Sequence, residues 1–498
     1  MNNDLKFNNE DFTVETFTSG DDTIRYRTFR GIDYCSKPVD PIQKLNIFVP
    51  ECYYNGESVN GYNLENAPIF MPNQVGGYMP GPAGEPGIDP RKNSPNSAFE
   101  ALKHGCVVAS AGVRGRSTGE VQNEFFEGSD AAGRDQTAGK LVGRAPAFIV
   151  DLKAAIRYLR HNKAEISGDT DKIITNGTSA GGALSALAGA TGNSHEYQSY
   201  LDTIGAADER DDIFAASCYC PIHNLENADA AYEWMFGGEH EYHKINFIKT
   251  PDGIKKELVS GQLSPRQITV SNILKNEFPK YLNSLNLTDK DGKSLNLDGK
   301  GNGTFKDYVE NLVIESAQKE IDCRNSERMT RLAINGSNVD KQSCLTIKDG
   351  HVTDIDWEGF IKAITRMKPT PAFDDLGLNS PECEEFGDES VYARHFTETA
   401  QRYSDVPAEL ADDSVIKLMN PTRYIDSETV AEHWRIRHGT HDRDTSLAVP
   451  AILALLLKKH GCDVDFFLPW GLPHSGDYDL ENLFAWIDKI VKEAPAEV

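Results

Sequence analysis

The sequence predicts an α/β fold in which helices cover both faces of a mostly parallel sheet and one large segment is inserted between two strands. Three observations support this prediction. Strand-like and helix-like segments alternate over residues 23–189, and several of the strand-like segments are short, unbroken apolar runs, which is typical of strands buried on both faces. The same alternation resumes near residue 432, after a long polar interval.

The first four strands differ in their patterns. Residues 23–30 and 44–50 alternate polar and apolar side chains, which is typical of antiparallel edge strands. Residues 67–72 and 106–111 are apolar throughout and predict strands inside a parallel sheet. Apolar residues then recur at helical spacing over residues 145–162, so a helix leads into the next strand, as in a βαβ crossover.

The next strand ends in a motif that indicates a catalytic serine. A β-prone run stops at Thr175, a helical run of small residues begins after Ser179, and Gly177-Thr178-Ser179-Ala180-Gly181 lies between them. A G-x-S-x-G nucleophile elbow requires this order of strand, tight turn and helix. The two glycines let the strand and helix backbones approach each other. The alternative is a tight turn without a catalytic role, and the position of the motif in mid-chain favours catalysis.

A long insertion follows the strand predicted at residues 213–221. Residues 223–413 are polar and irregular, and a segment of this length between sheet strands is most simply a lid domain over the site. Within it, residues 289–304 faintly resemble a calcium loop. Lys300 stands where the bidentate glutamate should be, so we predict a turn there and no metal.

The sheet then resumes with two strands and two helices. The strands are predicted at residues 432–439 and 463–469, and the helices at residues 447–460 and 480–491. The predicted domains are a first core part at 1–222, the lid at 223–413 and a second core part at 414–498.

Candidate catalytic side chains follow these last strands. A serine nucleophile needs a base, and the base needs an acid to orient it. In α/β-hydrolases the chain order is Ser, then Asp or Glu, then His. Asp442 follows the penultimate strand and His474 follows the last one, and loops after parallel strands converge at one edge of the sheet. The predicted triad is Ser179, Asp442 and His474. The alternatives are His438 and His441 for the base and Asp444 for the acid.

The oxyanion of an acyl-transfer reaction needs two backbone N–H donors. We predict that one is Ala180, directly after the serine, and that the other comes from Gly76 or Gly77 in the loop after the third strand. The alternative for these two glycines is a plain turn.

The composition argues against several classes of partner. Acidic residues number 76 against 51 basic ones, and the net charge of −25 repels nucleic acid and anionic membranes. No apolar run is long enough to span a membrane, and the first residues lack the pattern of a signal peptide, so we predict a cytoplasmic protein. Nine scattered cysteines predict free thiols, and no cofactor is expected.

Several segments are similar to those of bacterial tannases (tannin acyl hydrolases) of the type without a secretion signal. The similarity lies at residues 177–182, 437–446 and 472–479, and it extends into the insertion at 368–374 and 380–386. This resemblance implies an α/β-hydrolase fold and a serine esterase that hydrolyses galloyl esters through an acyl-enzyme. The predicted partner is a small phenolic ester.

The resemblance also implies a site for the galloyl ring. In the family, a lysine and a glutamate from the lid and the second aspartate of an Asp-Arg-Asp motif bind the phenolic hydroxyls, and here these residues are Lys368, Glu382 and Asp444. Two carboxylates and an ammonium suit three adjacent hydroxyl donors. Glu384 and Glu385 are alternatives to Glu382.

Three other functions are compatible with the same motifs. A feruloyl or cinnamoyl esterase and a peptidase share the fold and the triad, because neither specifies the acyl group. A non-catalytic binding protein of the same fold is the alternative of another class, and the intact set of Ser, Asp and His argues against it.

Overall fold

A nine-stranded mixed sheet lies at the centre of the protein. The structure is a computed structural model, and it describes residues 5–120, 140–250, 253–323, 344–426 and 428–493. The strands of the described residues are β1 Thr13–Ser19, β2 Asp22–Ile32, β3 Leu45–Pro50, β4 Pro68–Pro72, β5 Ile88–Asp89, β6 Ser94–Pro95, β7 Val107–Ala111, β8 Asp169–Thr178, β9 Ala215–Tyr219, β10 Glu241–Thr250, β11 Gly253–Gln262, β12 Leu345–Lys348, β13 His351–Ile355, β14 His433–Arg437 and β15 Asp463–Phe467.

Helices pack on this sheet, and others lie in the inserted segment. The α-helices of the described residues are α1 Ser97–Lys103, α2 Ala147–His161, α3 Ala180–Ala190, α4 Gln198–Ile204, α5 Leu225–Phe236, α6 Pro265–Ser284, α7 Thr304–Asp322, α8 Trp357–Ile364, α9 Pro381–Glu385, α10 Glu398–Arg402, α11 Asp413–Leu418, α12 Ala448–His460 and α13 Leu480–Glu493.

The sheet has an antiparallel edge and a parallel centre, in the order β1-β2-β3-β7-β4-β8-β9-β14-β15. The pairs β1–β2, β2–β3 and β3–β7 are antiparallel, and the pairs from β7 to β15 are parallel. Strands β4, β7 and β9 are buried along their whole length, which confirms the prediction made from their apolar runs. The antiparallel pairing of β2 with β3 is confirmed as well, but their predicted edge position is wrong, because β1, which was not predicted, covers β2, and β3 is buried along its whole length.

The register of the parallel strands gathers several chain segments at one edge. Thr178 of β8 lies opposite Tyr219 of β9, Tyr219 lies opposite Arg437 of β14, and Arg437 lies opposite Phe467 of β15. The residues that follow these four strand ends are therefore neighbours in space, although they are separated by hundreds of positions in sequence. The candidate site lies at this edge, as expected for a doubly wound sheet.

The segment between β9 and β14 contributes no strand to the nine-stranded sheet among its described residues. Its strands form two separate hairpins, β10–β11 and β12–β13. The part that resembles a calcium loop forms two turns, as predicted. Asp289 accepts backbone N–H groups at 2.9 Å from Asp291 and Lys293, and Asp298 accepts them from Lys300 and Asn302.

Two further predictions concern the whole chain. All nine cysteines lie in the described residues, and no two of them are joined by a disulfide bond, as predicted. Among the helices that the structure describes, none has both the length and the apolar character needed to cross a membrane.

Candidate active site

Ser179 occupies a strained turn between β8 and α3. Its backbone has φ 62° and ψ −124°, a conformation that L-residues adopt only when the surrounding structure enforces it. A Cβ atom on Gly177 would meet the Gly181 carbonyl and the Asn73 side chain, and a Cβ on Gly181 would lie 2.7 Å from the Val75 carbonyl oxygen. Both glycines are therefore required by close backbone approach, which confirms the prediction for this turn.

His474 and Asp442 form a hydrogen-bonded pair. The distance from His474 Nδ1 to Asp442 Oδ2 is 2.7 Å, and Asp442 is fully buried. Burial opposes ionisation of this carboxyl, but the neighbouring His474 and His438 and a hydrogen bond from His474 hold its pKa at about 2. Burial likewise disfavours the imidazolium, yet the Asp442 carboxylate raises the pKa of His474 well above its usual value.

The alternative acids and bases occupy different positions. Asp444 Oδ2 lies 3.9 Å from His474 Nδ1, so Asp442 is the closer acid. His438 Nε2 lies 3.6 Å from Asp442 Oδ2, and burial lowers the pKa of this fully buried ring. His441 lies 3.0 Å from the Thr440 hydroxyl and packs edge-on against an indole ring. The geometry therefore favours His474 as the base.

Buried polar contacts hold the His474 loop against the sheet. The Tyr219 hydroxyl donates to Asp479 Oδ1 at 2.6 Å, and Arg435 both pairs with Asp479 and donates to the Tyr219 hydroxyl at 2.8 Å. Asn176 Nδ2, from the elbow strand, donates to Asp477 Oδ1 at 3.0 Å. The loop that bears His474 is thus fixed to β9 and β14 and to β8, the strand that leads into Ser179.

A glycine and a lysine bring the same loop close to the elbow. Gly476 packs so closely on Thr178 that a Cβ atom there would overlap the Thr178 hydroxyl. Lys92 Nζ donates to the carbonyls of Gly476 and Asp477 at 2.6 and 2.9 Å. His474 therefore lies in a loop that touches the residue preceding Ser179.

The predicted oxyanion loop is tied directly to the elbow. Asn73 Nδ2 donates to the carbonyl oxygens of Asn176 and Gly181 at 3.1 and 3.0 Å, and its Oδ1 accepts the Val75 N–H at 3.3 Å. Gly76 and Gly77 follow, and an added Cβ atom would meet nothing within 4 Å at either position. Gly77 has φ +54°, a conformation that favours glycine.

The other predicted donor, Ala180, begins helix α3. The first N–H groups of a helix have no acceptor within the helix, so this donor points away from the helix body. Arg116 supports the opposite side of the site, because its Nε donates to the Gly77 carbonyl at 2.9 Å.

Of the three residues expected at the galloyl ring, Lys368 and Asp444 lie side by side, and Glu382 is near enough for their charges to act on its carboxyl. Lys368 Nζ lies 3.7 Å from Asp444 Oδ1 and 4.0 Å from the centre of the Phe373 ring. Burial raises the pKa of the Glu382 carboxyl; the charge of Lys368 opposes this rise and the charge of Asp444 adds to it. The charged groups of Lys368, Glu382 and Asp444 thus influence one another, and Asp444 reaches His474.

The two alternative glutamates of α9 face other groups. Glu384 forms a buried ion pair with Arg116, and Glu385 lies near Arg116 and Arg144, with burial raising the pKa of its carboxyl well above the usual value. Of the three glutamates, Glu382 is the one grouped with Lys368.

Four residues that the sequence analysis did not single out contribute to this arrangement: Asn73, Arg116, Cys220 and Asp479. Three of them lie just after strand ends or in the His474 loop, so the rule that found the triad candidates also points to them. The sequence does not point to Arg116 in this way, because its role depends on Glu384, which is 268 positions away in the sequence.

The arrangement provides the parts needed for acyl transfer. It contains a strained serine, a histidine hydrogen-bonded to a buried acid, and a helix that begins directly after the serine. Residues 140–230, which include the elbow, match the family model BD-FAE. The esterase LipQ of Mycobacterium tuberculosis is 35% identical over 107 residues, which cover 21% of this chain and 24% of LipQ. The chain thus aligns with about a quarter of that relative.

Solved structures match nearly the whole chain. A tannase from Lactobacillus plantarum is 47% identical with a TM-score of 0.88, over 98% of this chain and 100% of that one. The tannase of Fusobacterium nucleatum is 44% identical with a TM-score of 0.88, over 98% and 99% of the two chains. A tannin acyl hydrolase in complex with ethyl gallate is 47% identical with a TM-score of 0.87, over 98% and 99%.

Proposed function

This chain belongs to the bacterial tannase family, and from that premise we propose that it hydrolyses galloyl esters of hydrolysable tannins and simple gallate esters by a Ser-His-Asp mechanism. It is a carboxylic ester hydrolase of the α/β-hydrolase fold. The observation that carries the galloyl proposal is the cluster of Lys368, Glu382 and Asp444 beside His474.

The proposed mechanism uses Ser179 as the nucleophile. His474 Nε2 accepts the hydroxyl proton as Ser179 Oγ attacks the ester carbonyl, while Asp442 fixes the ring through Nδ1 at 2.7 Å. The N–H of Ala180 and an N–H of Gly76 or Gly77 stabilise the oxyanion. His474 then gives its proton to the departing alcohol, and a water molecule activated by His474 hydrolyses the acyl-enzyme.

Recognition of the ring follows from the charges of the cluster. The Lys368 ammonium donates to a phenolic oxygen, and Asp444 accepts a phenolic hydrogen. Burial makes Glu382 hold its proton more readily than an exposed carboxyl does, so it is suited both to donate and to accept. A ring without hydroxyls would leave these groups unpaired, and this disfavours its binding.

The domain division is part of the same proposal. Residues 223–413 act as a lid that supplies Lys368 and Glu382, while the core at 1–222 and 414–498 supplies the triad and Asp444. The ring thus binds between groups from both parts, and removing either part would leave the site incomplete.

Methyl gallate and methyl ferulate test the substrate class directly. We expect kcat/KM for methyl gallate to exceed that for methyl ferulate by roughly tenfold or more, because ferulate keeps only one of the three phenolic hydroxyls and its vinyl spacer displaces the ring from the cluster. Steady-state hydrolysis of both esters by the purified protein measures this ratio. Equal values would contradict the galloyl assignment and favour a feruloyl esterase.

Arg116 is a positioning residue in this proposal. It is buried, it pairs with Glu384 of α9, and it donates to the carbonyl of Gly77. One side chain therefore connects the helix that bears Glu382 with the predicted oxyanion loop.

We expect Arg116→Lys to lower kcat for methyl gallate roughly twofold to tenfold, because lysine keeps the charge but cannot bridge both partners in one plane. The change should fall on kcat more than on KM, since the oxyanion forms only in the transition state. Arg30→Lys, at an exposed arginine paired with Glu15 and Glu85, is the matched control. A loss of thermal stability with kcat unchanged would assign Arg116 to the scaffold alone.

A further inference from the structure

Cys220 is a residue of the site for which the ester mechanism has no role. It follows β9, next to Tyr219, whose carbonyl accepts the Ser179 N–H at 3.0 Å. Its Sγ lies 3.9 Å from His474 Nε2 and 3.4 Å from the Ser475 carbonyl oxygen. A thiol therefore faces the ring nitrogen that the proposed mechanism uses as its base.

The imidazole of His474 is already arranged as metal-binding histidines are. Such histidines almost always donate their second ring N–H to a carboxylate or another acceptor, which fixes the tautomer and leaves the other nitrogen free to bind the ion. Asp442 holds His474 Nδ1 in this way, at 2.7 Å. Thiolate and imidazole are the donors that zinc prefers, and softer ions favour thiolate in particular.

The spacing of the two donor atoms suits a single ion. Zinc bonds sulfur at about 2.3 Å and imidazole nitrogen at about 2.0–2.1 Å, and a tetrahedral angle places such donors roughly 3.6 Å apart. Cys220 Sγ and His474 Nε2 are 3.9 Å apart, so a shift of a few tenths of an ångström completes the pair. The His474 side chain keeps 21% of its surface exposed, which leaves an approach to the ring.

A second cluster of one aspartate, one cysteine and one histidine differs in that its histidine has no free ring nitrogen. Asp374, Cys383 and His395 also lie together, but both ring nitrogens of His395 are occupied, by Asp374 at 2.6 Å and by the Ser404 hydroxyl at 2.9 Å. Asp374 Oδ2 in turn accepts the N–H and the hydroxyl of Thr397. That group is a saturated hydrogen-bond network, whereas among the described residues the side-chain contact of His474 Nε2 is the weakly bonding thiol of Cys220, at 3.9 Å.

We propose that Cys220 Sγ and His474 Nε2 form an inhibitory site for one divalent cation of the Zn²⁺ and Cd²⁺ class. On binding, the ion displaces the proton of the Cys220 thiol, and the proton of His474 Nε2 where the ring is protonated, to solvent; the sulfur and the deprotonated Nε2 then each donate an electron pair to the ion. The occupied Nε2 then has no lone pair for the Ser179 proton, so hydrolysis stops. Inhibition rests on the proposed role of His474 as the base, whereas binding of the ion does not.

Zinc inhibition of the Cys220 variants tests the site. Hydrolysis of 4-nitrophenyl acetate is the assay, because the hydroxyls of gallates themselves bind metal ions. We expect Zn²⁺ to inhibit the wild-type protein, EDTA to restore activity, and the apparent inhibition constant to rise roughly tenfold or more in Cys220→Ser and Cys220→Ala. Cys323→Ala, which removes an exposed thiol, should remain as sensitive as wild type. Equal inhibition of wild type and the Cys220 variants would overturn the proposal.

Calorimetric titration with Cd²⁺ tests binding without any substrate. Ser179→Ala protein should bind one Cd²⁺ tightly, and the double variant Ser179→Ala/Cys220→Ser should lose this binding. Unchanged Cd²⁺ affinity in the double variant would overturn the site, even if the triad assignment is correct. Conversely, if the triad assignment is wrong, the Ser179→Ala protein will still hydrolyse esters. That result would not change the outcome of the Cd²⁺ titration.

Discussion

Ser179→Ala should lower kcat for methyl gallate by about 10³- to 10⁶-fold while the protein stays folded. The serine hydroxyl is the atom that forms the acyl-enzyme, and alanine fits the same backbone turn without new contacts. His474→Ala should cause a loss of the same order, because a serine without its base is a poor nucleophile. The double variant Ser179→Ala/His474→Ala should have a kcat little lower than that of either single variant, since triad members act as a unit.

Ser475→Ala is the matched control for this prediction. Its hydroxyl donates to the Pro473 carbonyl at 3.1 Å and has no place in the proposed mechanism, although it lies next to His474. Steady-state kinetics with circular dichroism on all variants separates lost chemistry from lost folding. Turnover close to wild type in folded Ser179→Ala protein would refute the nucleophile assignment.

The candidate triad could be predicted because the end of each strand is recognisable from the nearby sequence, and parallel pairing brings these strand ends together in the fold. The elbow at Ser179 has its own motif, and Asp442 and His474 each follow a strand that the sequence predicts, at residues 432–439 and 463–469. Parallel pairing of β8, β9, β14 and β15 then brings these loops to one edge. Knowledge of the strands was enough, and no side-chain contact had to be foreseen.

The surroundings of Lys368, Glu382 and Asp444 could not be predicted from the sequence. Glu382, Glu384 and Glu385 are the same residue type within four positions, yet Glu384 pairs with Arg116, whereas the charge of Lys368 acts on Glu382. This choice depends on how α9 is placed against the core, and tertiary packing determines that placement. The position of Cys220 beside His474 likewise depends on how the loops after β9 and β15 fold over the edge of the sheet, which the sequence does not specify.

Asp444→Ala should remove most of the preference for methyl gallate over methyl benzoate. Asp444 accepts a phenolic hydrogen in the proposed complex, and a hydrogen bond to a charged group contributes about 1.5 to 3 kcal/mol, so kcat/KM for methyl gallate should fall roughly tenfold to a hundredfold. Methyl benzoate has no hydroxyl to lose and should be hydrolysed almost as before. The ratio of the two kcat/KM values is the quantity to measure.

Two variants separate ring binding from the other contacts of Asp444. Its Oδ2 lies 3.9 Å from His474 Nδ1, so loss of its charge also weakens support of the imidazolium, and this part of the loss falls equally on both esters. Asp444→Asn keeps an acceptor oxygen without the charge and should retain part of the preference for methyl gallate. Asp442→Ala should slow both esters alike. If Asp444→Ala also slows both alike, then Asp444 supports His474 and does not bind the ring, and the galloyl assignment loses its main support.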